Sequence, residues 1–188
     1  MEKELFIVLN APYTLNFMVY LQNLYLNQRG NKKNLKFPYD RQRLAFHPKF
    51  EAQFQQLWLE LTKKVADSNF NEMALFYEQK ELFQTRLFQG ENSFEQLHES
   101  FRTWWASLAG GYAIERTTDT WMQSIYNELT GILKNANKEP AKALHVSVIY
   151  DQCKLVKQQE YSFYAVYAIE DFLLNHKEIP KKLLNCFL

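Results

Sequence analysis

The scarcity of glycine limits most strongly the folds that this chain can adopt. Only 5 of its 188 residues are glycine, whereas an average protein contains roughly 7%. Turns with positive φ depend on glycine, and a fold of many short strands needs such turns at short intervals. The sequence therefore disfavours a many-stranded β fold and favours long helices.

Four stretches repeat apolar residues at helical spacing, so each predicts an amphipathic helix. They are 50–65, 73–87, 94–108 and 121–133. Gly110 and Gly111 are expected to end the third helix, and Thr118 or Asp119 is expected to cap the fourth. Aromatic residues supply much of the apolar surface, because the chain holds 15 Phe, 11 Tyr and 4 Trp.

Two further predicted helices, 14–27 and 161–174, are apolar on most of their faces. Such helices usually lie at the centre of a bundle or in an interface. The first of them carries a single polar stripe. It consists of Asn16, Tyr20, Asn23 and Asn27.

The segments 4–9 and 144–150 read as short strands that can pair as a minimal sheet. A two-stranded sheet needs support, which helices would provide. The fold class predicted is mainly α, a compact bundle of about six helices with a minor two-stranded β element. Residues 1–188 are expected to form one domain, with a possible internal linker at 135–142.

The amino-terminal segment, the longest apolar stretch and the two cysteines indicate an intracellular protein. The amino-terminal segment is a poor secretory signal, and the most apolar stretch of the chain, 17–26, is shorter than the ~20 residues that cross a bilayer. Cys153 and Cys186 have no CxxC spacing, so two reduced thiols are expected rather than a zinc site or a disulfide framework. We therefore expect a cytoplasmic location and no membrane partner.

The segment 29–49 is the main anomaly in charge. It carries a formal charge of +6, while the whole chain is only +1. Cations that meet phosphates, together with aromatic rings that stack on bases, are typical of single-stranded nucleic-acid sites. The candidate residues are Arg29, Lys32, Lys33, Lys36, Tyr39, Arg41 and Arg43. Because no known nucleic-acid-binding motif accompanies them, a solvated loop between helices is the favoured interpretation.

No catalytic or metal motif is complete. Glu95 and His98 have ExxH spacing, but a di-iron site needs a second such motif, so His98 is interpreted as a surface histidine. His145 and Ser147 share one face of the predicted strand, which is read as the polar side of an edge strand. Glu170 is predicted to lie among aromatic residues of its helix, and a structural role is favoured for its carboxylate over a role as a catalytic acid. No nucleotide-binding loop occurs, and no metal or cofactor is expected.

Trp104 and Trp105 are adjacent on a predicted helix, so they point about 100° apart. Both are buried only if the helix is covered broadly. One of them is therefore a candidate for an interaction surface, where tryptophan is often a hot spot.

Three classes of function remain open. The first is a non-catalytic interaction or regulatory module that binds a protein partner or a second copy through an aromatic helical surface. The second is a nucleic-acid-binding protein that uses 29–49. The third is an enzyme whose site is assembled from distant residues. The first is favoured, because apolar helix surface is abundant and no catalytic constellation is present.

Overall fold

The computed structural model confirms a mainly α protein with a small sheet. It describes residues 4–30, 35–39, 43–66, 72–90, 94–157 and 161–187. In these ranges the elements are β1 (Ile7–Asn10), α1 (Tyr13–Arg29), α2 (Phe50–Val65), α3 (Glu72–Leu87), α4 (Phe94–Trp105), α5 (Gly111–Asn135), β2 (Leu144–Ile149), β3 (Tyr164–Ala168), α6 (Ile169–Leu174) and α7 (Ile179–Leu183). Short 3-10 turns, His176–Glu178 and Leu184–Phe187, flank α7.

The chain forms two compact units. The sheet unit lies within Met1–Ala11, Gly111–Gln152 and Gln158–Leu188, and the aromatic unit lies within Pro12–Gly110 and Cys153–Lys157. The predicted linker 135–142 connects α5 to β2 inside the sheet unit. The single-domain organisation stays a prediction.

The sheet has three parallel strands in the order β1-β2-β3. The two predicted strands pair with each other, with Ile7 opposite Leu144. The third strand, β3, lies where a helix over 161–174 was predicted, and only Ile169–Leu174 of that stretch is helical. All five residues of β3 are buried. A strand buried on both faces reads as a continuous apolar run, which periodicity does not distinguish from a buried helix.

The interpretation of 144–150 as an edge strand was wrong, because β2 is the central strand. Ser147 is buried, and its hydroxyl donates to Asn10 Oδ1 (3.2 Å) and accepts from the Tyr164 hydroxyl (3.1 Å). The polar residue is thus accommodated between its neighbouring strands and does not face solvent.

Helix α5 begins earlier than predicted, at Gly111 and not at Thr118 or Asp119. Thr118 is buried within the helix, where its hydroxyl donates to the Glu115 carbonyl (2.9 Å). Threonine can satisfy its hydroxyl in this way, so a residue that resembles a cap is compatible with the helix interior.

The aromatic unit is organised around α1, which is buried over Tyr13–Tyr25. Phe17 lies at its centre, and its ring contacts aromatic rings of α3 and α4 in edge-to-face geometry. These rings are Phe76 (5.3 Å), Phe83 (5.4 Å), Phe94 (5.8 Å) and Phe101 (5.1 Å). Aromatic pairs at such distances add stabilisation to the burial of their apolar area. The prediction that this nearly all-apolar helix is central to a helical unit is confirmed.

Buried polar side chains of α1 have defined partners. Gln22 is fully buried, and its Oε1 accepts the backbone N–H groups of Lys154 (2.6 Å) and Leu155 (3.0 Å). This pair of bonds attaches Cys153–Lys157 to the aromatic unit.

No helix within the described ranges is long and apolar enough to cross a membrane.

The interpretation of His98 as a surface residue was wrong. Only 7% of His98 is exposed, and its Nε2 forms a hydrogen bond with the hydroxyl of Tyr13 at 2.9 Å. The His98 ring stacks on Phe76 at 4.5 Å. Phe94, Leu97, His98 and Phe101 form the buried face of α4. Their spacing of i, i+3, i+4 and i+7 was visible in the sequence.

We predict that stability falls in mild acid because of His98. Burial lowers the pKa of His98 below its ordinary value of 6.5, and the charge of Lys80 acts in the same direction. The unfolded chain therefore takes up a proton before the folded chain does. As the pH falls below 6.5, the free energy of unfolding should decrease until the lowered pKa of the folded state is passed.

Urea denaturation between pH 8 and pH 4 measures this dependence. The variant His98→Gln keeps a polar group that can hydrogen bond to Tyr13 and does not titrate, so its loss of stability in this range should be smaller than that of the wild type. Identical profiles for the wild type and His98→Gln would contradict the assignment.

Candidate functional site

The segment 35–39 is attached to α1 by two asparagines of its polar stripe. Asn27 donates from Nδ2 to the carbonyls of Lys36 (2.7 Å) and Pro38 (3.0 Å), and its Oδ1 accepts the Lys36 N–H (2.8 Å). One turn earlier, Asn23 donates to the Phe37 carbonyl (2.9 Å). The Phe37-Pro38 peptide bond is cis. Side chains thus perform the pairing that a second strand or helix would provide for this backbone.

This attachment places four aromatic side chains in a continuous series, which we call the aromatic row: Tyr39, Phe37, Trp104 and Trp105. The ring of Phe37 lies 6.0 Å from Tyr39 and 4.8 Å from Trp104. Trp104 and Trp105 follow at 5.8 Å from each other. The structure therefore joins two candidate surfaces that the sequence left separate, the basic segment and the tryptophan pair.

The rings of the aromatic row pack against core residues on one side and are partly exposed on the other. Trp104 packs against Tyr20 (6.4 Å) and Phe101 (5.6 Å), and Trp105 packs against Tyr13 (5.9 Å) and Phe101 (5.6 Å). Phe37, Trp104 and Trp105 are half-buried, whereas Tyr39 is 66% exposed. Each half-buried ring is held by the core on one side and leaves part of its surface accessible.

The predicted cations have different environments. Arg29 lies over the Tyr25 ring at 4.6 Å, and its guanidinium is 3.5 Å from a Glu51 carboxylate oxygen, so its charge is partly compensated. Lys36 is half-buried next to Phe37, and Arg43 is exposed. Lys32, Lys33 and Arg41 lie outside the described residues.

The aromatic unit also affects the ionisation of Tyr25. Burial raises the pKa of this phenol, and its hydrogen bond to Glu51 Oε1 (2.9 Å) acts in the same direction. Tyr25 is therefore a neutral donor that holds Glu51 in the position where it meets Arg29.

The other candidate side chains have structural partners. The predicted placement of Glu170 among aromatic residues was wrong, because Glu170 is exposed. The neighbouring carboxylate, Asp171, is the buried one. Asp171 Oδ2 accepts the Ala168 N–H at 3.0 Å and so satisfies the start of α6. Within the described ranges, no group of three or more His, Cys, Asp or Glu side chains could hold a metal ion.

Phe37 is one of the aromatic residues interleaved with the cations of 29–49, but it was not among the predicted site residues, and the asparagines of the α1 stripe were predicted without a role. A signal was present, since Asn23 and Asn27 are one helical turn apart on a helix that is otherwise apolar. A buried amide needs partners, and main-chain groups of an irregular segment are suitable ones. Which segment supplies them is not encoded in the spacing.

No protein-family model matches this chain, and no curated protein or solved structure matches it.

We predict that Asn27→Ala releases the segment 35–39. Three hydrogen bonds to its backbone are lost, and each contributes about 0.5–1.5 kcal/mol. Hydrogen exchange of the Lys36 amide should therefore accelerate roughly tenfold or more. The matched control is Asn127→Ala on the exposed surface of α5, which should leave the exchange of Lys36 unchanged. Equal exchange rates in wild type and Asn27→Ala would show that Asn27 does not hold the segment.

Proposed function

We propose that this protein is a non-catalytic interaction module that binds a protein partner through the aromatic row. The observation that supports this function is the placement of Phe37, Trp104 and Trp105 as half-buried rings beside the exposed Tyr39. Tyrosine and tryptophan are the residues most enriched among interface hot spots.

The support beneath the rings makes the surface suitable for binding. Ordering a mobile side chain in an interface costs about 0.5–1.5 kcal/mol. Trp104 and Trp105 pack against α1 and α4 residues, and Asn23 and Asn27 hold the backbone on both sides of Phe37. These contacts order the rings already in the free protein, so binding a partner requires less loss of side-chain entropy.

The charge of the surrounding segment favours an acidic partner. The sequence 29–49 has a formal charge of +6, and Lys36 and Arg43 flank the row in the chain. Complementary charge accelerates encounter and selects partners more than it adds affinity. A protein surface with apolar and acidic side chains is therefore the expected partner, and a second copy of this chain is the alternative.

Substituting Tyr39 tests this proposal with little expected effect on folding. Tyr39→Ala removes a ring that is 66% exposed, so the midpoint of thermal unfolding should change little, while partner binding should weaken about tenfold or more. The matched control is Tyr112→Ala on α5, where the ring is 56% exposed.

Affinity purification from the cells of origin, with quantitative mass spectrometry, compares the three proteins. A specific partner should be retained by wild type and Tyr112→Ala and lost by Tyr39→Ala. Sedimentation velocity applies the same comparison to self-association. If wild type neither self-associates nor retains any protein in a Tyr39-dependent manner, the proposed function is wrong.

Single-stranded nucleic acid is the second candidate, which one specific observation favours. The exposed ring of Tyr39 lies between Lys36 and Arg43 in the chain. An aromatic ring flanked by cations combines base stacking with phosphate contacts.

We predict, for this second candidate, binding to single-stranded RNA or DNA that weakens steeply with salt. In the double variant Lys36→Gln/Arg43→Gln the slope of log K against log salt should be smaller by about 1.4, because about 0.7 is lost per phosphate contact. The double variant Lys63→Gln/Lys64→Gln on α2 makes the same charge change at exposed positions and should keep the wild-type slope. Fluorescence anisotropy measures both. Absence of binding at low salt, or equal slopes in the two variants, would reject this candidate.

A further inference from the structure

His98 has an apolar environment within the aromatic unit. Its ring stacks on Phe76 of α3 at 4.5 Å and on Phe94 of α4 at 6.3 Å, and the Phe17 ring of α1 meets it edge to face at 5.8 Å. The titratable group that α1 presents to it is the Tyr13 phenol, which hydrogen bonds to its Nε2. A protonated imidazole in this position would be shielded from water by the rings. An ion that lacks both water and a paired counter-ion is costly to bury.

The charged groups around His98 are already paired with one another. Within the described ranges, the charges that act on it belong to Lys80 of α3 and to Glu95, Glu99 and Arg102 of α4. Lys80 Nζ lies 2.7 Å from Glu95 Oε1, and Arg102 Nη2 lies 2.7 Å from Glu99 Oε1. Each carboxylate therefore has its own cation. Burial, followed by the charge of Lys80, keeps the pKa of His98 below its ordinary value.

Tyr13 connects His98 to the aromatic row. The phenol ring whose hydroxyl bonds to His98 also lies edge to face against Trp105 (5.9 Å) and Phe101 (4.9 Å). Trp105 follows His98 by seven residues on α4, so both side chains lie on one side of that helix. A displacement of the Tyr13 ring therefore changes the packing of Trp105, and the hydrogen bond to His98 fixes the position of Tyr13.

We propose that His98 and Tyr13 form a proton-sensitive switch, in which protonation of His98 displaces Tyr13 and, through it, Trp105. The charged imidazole moves from between the rings towards solvent, where it is hydrated, and its bond to Tyr13 is lost. The Tyr13 ring then no longer holds Trp105 in the aromatic row. The row is complete at neutral pH and altered in acid, so partner binding weakens as the pH falls. The effect on binding rests on the proposed function, whereas the displacement of Trp105 does not.

This change is local and differs from acid unfolding of the whole unit. Trp58 provides the comparison, because it lies on α2, is buried and packs its ring on Phe54 at 6.1 Å. Global unfolding would change the environment of Trp58 and Trp105 at the same pH. The switch changes the environment of Trp105 alone of these two.

The test labels the four tryptophans of the full chain with 5-fluorotryptophan and records fluorine NMR spectra between pH 8 and pH 4. Single Trp→Phe variants assign the signals, and proton NMR follows the His98 imidazole in parallel. The Trp105 signal should shift with the midpoint of His98, while the Trp58 signal stays constant. Trp121 is unsuitable as a reference, because its ring stacks on His176 at 3.8 Å.

Two variants test the path from His98 to Trp105. His98→Gln does not titrate, so the shift of Trp105 should disappear. Tyr13→Phe keeps the ring but removes the hydroxyl, so His98 should still titrate while the shift of Trp105 falls at least about twofold, since the bond that transmits the change is absent. The matched control is Tyr112→Phe on α5, where the ring is 56% exposed, and it should keep the wild-type shift.

The effect on binding is measured with the partner that wild type retains at neutral pH. Its dissociation constant should rise in acid by up to about tenfold per pH unit, which is the limit for one linked proton. In His98→Gln it should rise less. If wild type has no partner, the proposed function fails, but the fluorine spectra still decide whether the switch exists.

Four results would overturn the proposal. The first is a Trp105 signal that does not follow the titration of His98, and the second is a Trp58 signal that moves together with it. The third is a shift of Trp105 that persists in His98→Gln. If that variant does not fold, Tyr13→Phe decides, and a Trp105 shift equal to that of wild type contradicts the path through Tyr13. The fourth is partner binding that is independent of pH although Trp105 moves, which would remove the link to the aromatic row.

Discussion

The burial of α1 is the constraint on which the aromatic unit depends. Thirteen consecutive residues, Tyr13–Tyr25, are buried, so every polar group among them has to find a partner inside the protein. Gln22 bonds to the backbone of Lys154 and Leu155, and Asn23 bonds to the backbone at Phe37. Two irregular segments far apart in the sequence are thereby attached to one helix. Polar residues on an apolar helix here determine where loops lie.

The same relation explains why the candidate site is an ordered surface. A five-residue segment such as 35–39 has no regular structure of its own, and ordering its backbone costs about 1–2 kcal/mol per residue. The bonds from Asn23 and Asn27, together with the contact of Phe37 on Trp104 at 4.8 Å, offset that cost. Core packing and surface presentation are therefore coupled through the same side chains.

Particular residues show how far sequence reasoning extends. The stripe of α2, including Phe50, Phe54 and Leu57, is buried as its period predicts. Two predictions were wrong for different reasons. His98 was placed on the surface, although its spacing to Phe94, Leu97 and Phe101 was visible in the sequence. The stretch 164–168 was predicted as helix, because the spacing of its apolar residues fits a buried strand equally well. A buried parallel strand and a buried helix are both uniformly apolar, so only the neighbours of β3 distinguish them. The aromatic row was predicted in two separate parts, since Phe37 meets Trp104 only in three dimensions.

The sequence by itself determined the mainly helical class, because helical period and glycine scarcity are local properties of the chain. It also identified the two segments that pair as β1 and β2. The tertiary structure alone decided that a third strand joins them, that Asn27 holds the backbone of Lys36 and that Tyr39 continues the series of the two tryptophans. These outcomes depend on contacts between residues distant in sequence, and such contacts leave no periodic pattern in either partner.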